Sequence, residues 1–273
     1  MEAQIKADLG EELYHACSDG DLDAVREYVS HQRSATPSYE PPLSSMMYVA
    51  AHHDKSIIVR YCLEISPVVT GCVMQIILIN RAKETYKLLL GLKAVDVDYY
   101  IPWFGDMLSK AATRNDFEWT KLCLEAGANP NLNLVDEHTT ILGAVAERAS
   151  VEMAQMLLEH GAWLKDSGAI VLAAEEGKLD MVKFLLEQGA DIDEIGVEHP
   201  TDPRFTEEVG SALHKAVREG HEEVVKLLLD NGANVNLKDM MGKTSMDLAE
   251  ARSDQKISHL LKMHATNTRK EDN

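Results

Sequence analysis

The segment GHEEVVKLLLDNGANVN at residues 220–236 is a near copy of GKLDMVKFLLEQGADID at residues 177–193. Each copy holds a glycine, a short apolar run with helical spacing, a Gly-Ala pair and a polar close. A unit this short cannot bury its apolar stripe alone, so a chain made of such units folds only if neighbours stack into one continuous core. That requirement excludes most architectures built around a single hydrophobic centre.

Following the repeat outward places a small or aliphatic residue in the middle of each first helix. The positions are Ala16, Ala50, Ile77, Ala111, Val145, Ala173, Ala216 and Ala249, in steps of 34, 27, 34, 34, 28, 43 and 33. The units lie near 11–33, 45–66, 72–96, 106–130, 140–163, 168–192, 211–235 and 244–265, with an insertion at 194–210 and a polar tail at 266–273. Aromatic residues make up 5% of the chain against 45% hydrophobic, so Leu, Val, Ile, Ala and Met must fill the interior, which favours helices. Helix starts are expected at Ser45, Asp106, Thr140, Ser211 and Thr244, with Thr244 and Asp247 reading as a capping box. Gly127, Gly161, Gly189 and Gly232 stand where a second helix should end in a left-handed residue.

The best-formed copies, SALHKAVREGHEEVVKLLLDNGANVN from Ser211 and GKTSMDLAEA from Gly242, resemble the ankyrin repeat. The resemblance covers nearly the whole chain, the units at Ala16, Ala50 and Ile77 being degenerate. It implies an all-α ankyrin-repeat solenoid of about eight helix-turn-helix units with one extended loop. It also implies a scaffold that recognises a partner protein along its concave face. His214 matches the histidine of the family's TPLH signature, which implies a local structural role.

Acidic residues outnumber basic ones by 45 to 27, a net charge of −18, which repels a phosphate backbone and leaves nucleic acid out of the expected partners. A basic protein partner and salt-sensitive association are expected instead. Cys17, Cys62, Cys72 and Cys123 form no CxxC pair or metal spacing, and a reducing compartment, cytoplasm or nucleus, follows. The opening MEAQIKADLG lacks an apolar signal core, and the longest apolar stretch, residues 68–79, falls short of a membrane span, so no membrane role is expected.

Departures from the repeat supply the candidate contact residues. The stretch YYIPWFGD gathers Tyr99, Tyr100, Trp103 and Phe104, four of the fifteen aromatic residues, in a finger that is normally polar. These rings serve either as interface anchors or as an inward seal for the third unit. His52 and His53 take the two slots after the small-residue pair, where ankyrin proteins touch partners. Adjacent helical residues diverge by about 100°, which argues against joint metal ligation. The equivalent slots elsewhere hold Thr113 and Arg114, Glu147 and Arg148, Glu175 and Glu176, and Arg218 and Glu219, a stripe of mixed charge along the inferred concave wall. Asp136 and His138 join the candidates from the polar finger before the fifth helix pair. The insertion at 194–210 is either a binding loop or a tolerated surface insertion. Cys17, Cys62 and Cys123 fall in core slots. No nucleotide, hydrolase or zinc-protease motif is present, and no cofactor or metal is implied. The alternative to a binding module is a small-molecule site in the groove, walled by residues 99–104 and 194–210, doing isomerase- or cyclase-type proton transfer with His52, His53 or His138.

Overall fold

The structure, a computed structural model, describes residues 2–101, 104–135, 139–196 and 209–271. The chain forms two compact units, Met1–Met107 and Leu108–Asn273. The first holds three successive helix pairs: α1 (Glu2–Asp19) with α2 (Leu22–Ala35), α3 (Leu43–His52) with α4 (Ser56–Ile65), and α5 (Gly71–Asn80) with α6 (Lys83–Gly91). The second begins within α7 (Met107–Thr113), followed by α8 (Phe117–Glu125), and continues through α9 (Ile141–Arg148), α10 (Val151–Glu159), α11 (Ala169–Glu175) and α12 (Leu179–Glu187). It ends with α13 (Ala212–Glu219), α14 (Glu222–Asp230), α15 (Ser245–Ala251) and α16 (Gln255–Glu271). Among the described residues the chain is all-helical, with only isolated bridges at Ile101–Gly105, Ile195–Ser211 and Lys238–Thr244.

Nearly every helix pair turns four residues after its anchor. Gly20, Asp54, Arg81, Asn115, Gly177, Gly220 and Ser253 all take φ between 53° and 85°. The next amide reaches back five residues to the anchor carbonyl, at 2.7–3.1 Å, in seven of the eight turns, as from Lys55 to Ala50 and from His221 to Ala216. This closure satisfies the last carbonyls of a helix and needs a left-handed residue to form. The exception is Ala149, which is extended. There the Ser150 amide donates instead to Asn115 Oδ1 at 3.1 Å, and Lys178 Nζ donates to the Ala149 carbonyl at 3.0 Å. The turn between α9 and α10 is thus held by the repeats on either side of it. Asp54 does comparable work in the first unit: its carboxylate accepts from the amides of Glu84 (3.1 Å) and Thr85 (2.8 Å). Those amides open α6, whose own cap position, Ala82, has no side-chain oxygen.

All eight anchors are buried. In the first unit α1, α3 and α5 stack in one layer and α2, α4 and α6 in another; in the second, α9, α11, α13 and α15 stack with α10, α12, α14 and α16 behind them. We call the odd-numbered layer inner. Small side chains set how closely inner helices approach: Ala144, Ala173, Ala212, Ala216 and Ala249 are all fully buried. Gly143 marks a tight approach, because a Cβ there would lie 2.8 Å from the Ser167 carbonyl.

Helix starts follow the expected chemistry at Thr140, Ser211 and Thr244. At the first of these, Thr140 Oγ1 accepts from Gly143 N at 2.9 Å. Thr244 and Asp247 form the reciprocal capping box. Asp106 immediately precedes α7 and is buried. Ser45 is not a cap: α3 starts two residues earlier, with Pro42 in the cap position. Proline presets φ and has no amide to satisfy, so the helix begins there without a side-chain oxygen. Gly127, Gly161, Gly189 and Gly232 take φ of 93°, 87°, 91° and 88°, closing their second helices as expected.

Candidate functional site

α7 and the inner helices α9, α11 and α13 end on the same two slots. The first, two residues after the anchor, is half-buried, and the second is exposed: Thr113 and Arg114, Glu147 and Arg148, Glu175 and Glu176, Arg218 and Glu219. The slots recur because the anchor faces the core and the turn follows directly, so these side chains leave the core at the helix terminus. Arg148 Nη2 lies 3.1 Å from Glu147 Oε2, and Arg218 Nη2 lies 3.7 Å from Asp239 Oδ2.

Beneath this stripe sits a fully buried charge. The position before the anchor holds Val49, Ile76, Ala144, Leu172 and Leu248 in five units and polar residues in three. Of those three, His15 is exposed and Lys110 is half-buried, whereas Lys215 in α13 is buried. The Lys215 side chain is 1% exposed, and its ammonium donates to Glu175 Oε1 on α11 at 2.9 Å, while Glu175 remains 27% exposed. A buried ammonium is tolerated only with such a partner. His221 Nε2 lies 2.8 Å from the Glu175 carbonyl, tying the same helix end to the next repeat a second time.

His214 is structural. Its Nδ1 accepts from the Ser211 amide at 3.2 Å and meets Ser211 Oγ at 2.8 Å, while Nε2 lies 3.1 and 3.2 Å from the Leu237 and Lys243 carbonyls. These partners require a neutral ring with its hydrogen on Nε2. Burial pushes the His214 pKa below the ordinary 6.5, against the opposing pull of Asp239.

The described ends of the insertion are hydrogen-bonded to each other and to a neighbouring loop. Gly196 N donates to the Gly210 carbonyl at 3.2 Å, and Glu194 is buried with Oε1 accepting from Gly168 N at 2.9 Å. Burial pushes the Glu194 carboxyl up, opposed by that hydrogen bond and reinforced by Asp166 and Asp191. The remainder of the insertion, residues 197–208, lies outside the described residues, as do Trp103, Asp136 and His138.

In the first unit, His52 ends α3 and His53 caps it, both exposed, with ring centroids 4.7 Å apart at 77°. His52 also borders a small cleft with Ile5, Tyr14, Tyr48 and Val49. Tyr99 and Tyr100 are exposed, whereas Phe104 is half-buried. Next to them, Ile101 N donates to the Gly105 carbonyl at 3.0 Å and Gly105 N to the Ile101 carbonyl at 2.9 Å. The histidines and the tyrosines therefore belong to different elements of this unit. Among the described residues, no three His, Cys, Asp or Glu side chains converge as a metal-ligand set, and no helix is long and apolar enough to cross a membrane.

Two features escape the periodic pattern of the sequence. Lys215 was detectable as a lysine in a slot that is apolar in five of the eight units. Trp163 was detectable as Gly-Ala-Trp where other units read Gly-Ala-Asn or Gly-Ala-Asp, and it is 71% exposed.

A family model described as ankyrin repeats, in three copies, matches residues 108–196, and one described as ankyrin repeat matches residues 211–240. Both matches fall in the second unit. No curated protein matches the chain.

Proposed function

Because the chain is an ankyrin-repeat protein, we propose that it works as a scaffold that grips a basic partner protein with the helix-end stripe of its second unit. Ankyrin repeats are in general protein–protein interaction modules. The observation that carries the reading is the recurrence of one half-buried and one exposed slot, mostly charged, at the C-terminal end of α7, α9, α11 and α13. Hydrogen bonds between successive repeats hold these slots in place before binding, so little conformational entropy is lost on this side of the interface. Arg114 and Arg148 give the stripe register, while Glu176 and Glu219 present exposed carboxylates to partner cations. In the first unit, His52, His53, Tyr99 and Tyr100 offer further contact positions.

The test is capture from native extract on the immobilised chain and on Glu176→Lys/Glu219→Lys. Both positions are exposed, so circular dichroism should stay unchanged. A partner retained by the parent, lost from the variant and eluted by about 0.5 M salt supports the reading. Equal retention by both chains overturns it.

A further inference from the structure

Trp163 occupies a slot whose structural work is done by other residue types in neighbouring repeats. After the Gly-Ala pair, Asn129, Asp191 and Asn234 each accept through Oδ1 from the backbone amide two residues on, at 2.9, 3.0 and 3.0 Å. These are Asx turns, which stabilise the loop locally. An indole has no acceptor for that bond. Trp163 therefore gives up the local bond, and the residue is left 71% exposed, whereas Trp119 is buried in α8.

The backbone beneath the ring is fixed. Asn131 Nδ2 donates to the Gly161 carbonyl at 2.8 Å, and Trp163 N donates to Asn131 Oδ1 at 2.9 Å. One amide side chain thus clamps the loop on both sides of Ala162. Next to that clamp, Leu132 and Leu134 are 57% and 40% exposed. Three large apolar side chains stand out of two loops that are hydrogen-bonded to each other. Exposed apolar groups gathered this way mark contact surfaces more often than isolated ones do.

Charge indicates the occupant. The loops and helix ends of these repeats carry Glu159, Asp166, Asp191 and Asp193 against the ammonium of Lys165, while Glu125 is paired with Lys121 at 3.7 Å. Asp166 and Asp191 lie close enough to influence Glu194, so the acids next in line along the edge are grouped. A cation that also presents a flat face is favoured over an indole, which selects arginine above lysine.

We infer that Trp163, Leu132 and Leu134 form a docking surface on the loop edge of the second unit, separate from the helix-end stripe, and that it takes a partner segment in which arginine alternates with aliphatic residues. The indole stacks on the guanidinium, the leucines cover the aliphatic side chains, and the surrounding carboxylates raise the local concentration of the cationic segment.

The experiment uses the full chain labelled with 5-fluorotryptophan and observed by fluorine NMR. The Trp163 resonance is assigned by its loss in Trp163→Phe. The probes are a capped Leu-Arg-Leu-Arg-Leu-Arg peptide and its Leu-Glu counterpart. Saturable movement of the Trp163 resonance with the arginine peptide alone is expected. The affinity should fall at least about 10-fold in Trp163→Ala and about 3-fold in Asp166→Asn/Asp191→Asn. Trp163→Asn returns a residue type used by the other repeats, so its melting temperature should equal or exceed that of the parent while binding is lost. The inference is overturned if neither peptide moves the resonance at about 1 mM, if both move it alike, or if Trp163→Ala binds as the parent does. A melting temperature lowered in Trp163→Asn with binding intact would equally overturn it, by making the indole a structural group.

Discussion

Replacing Glu175 by Gln should destabilise the second unit far more than replacing Lys215 by Met, although the two side chains share one interaction. Lys215 is 1% exposed and its ammonium sits 2.9 Å from Glu175 Oε1. In Glu175→Gln the amide oxygen can still accept a hydrogen bond, but the buried positive charge loses this counter-charge. Removing one partner of a fully buried pair costs about 3–5 kcal/mol. Glu175 is 27% exposed, so water reaches part of the pair and brings the expectation down to about 2 kcal/mol. Lys215→Met removes the charge and keeps a flexible stem of similar length in a slot that is apolar in most other units. The Glu175 carboxylate left behind can turn to water, so a change between about −1 and +0.5 kcal/mol is expected. In the double variant, the Gln substitution should add less than about 0.5 kcal/mol, giving a coupling of about 1.5–2 kcal/mol. Urea unfolding followed by circular dichroism reads these differences as midpoint shifts, provided the slope is constant across the four proteins, since repeat arrays can unfold in parts. The reasoning fails if Lys215→Met costs as much as Glu175→Gln, or if Glu175→Gln costs less than about 0.5 kcal/mol.

His214 makes stability depend on pH with a definite sign. Its folded pKa is below the ordinary 6.5, so on acidification the unfolded chain takes up a proton that the folded chain resists. The contribution is complete above about pH 6.5 and is lost as pH falls from there toward the folded value. His214→Gln should be less stable at about pH 7.5, and its urea midpoint should fall less between about pH 7 and pH 5 than that of the parent; parallel curves would contradict the assignment. Thiol accessibility gives a second check. Cys17, Cys62 and Cys123 are buried and Cys72 is exposed, and burial pushes the Cys17 thiol up to about 12. Burial raises the Cys62 thiol as well. At about pH 8 a disulfide reagent should therefore label one thiol rapidly in the native chain, lose that phase in Cys72→Ser, and find all four only after denaturation.

The architecture was legible because it is set by short-range rules. A small anchor, a tight turn and a Gly-Ala close are all visible within one unit, whereas the left-handed residue four positions after the anchor, as at Arg81, emerges only in the structure and is missing at Ala149. The bonds between repeats were not legible. Asp54 to Thr85, Asn115 to Ser150 and Lys215 to Glu175 join residues 31, 35 and 40 apart, and their existence depends on side-chain directions fixed only when the layers stack. For the same reason the sequence could suggest Ser45 as a cap, while the chain starts α3 on Pro42.

A repeated fold makes each unit a control for the others, so a departure from the pattern can be judged by whether the structure absorbs it. Asp54 and Asn115 replace glycine in left-handed turns at a steric cost of about 1–2 kcal/mol, and each uses its side chain to satisfy amides of the next repeat. Lys215 replaces an aliphatic residue and finds Glu175. These departures are explained inside the fold. Trp163 differs: it gives up an Asx turn worth about 1 kcal/mol and leaves a large apolar ring facing water, while its backbone is clamped by Asn131. A cost that the folded chain does not recover within itself is recovered when something covers the ring, and this recovery underlies the docking surface proposed on the loop edge.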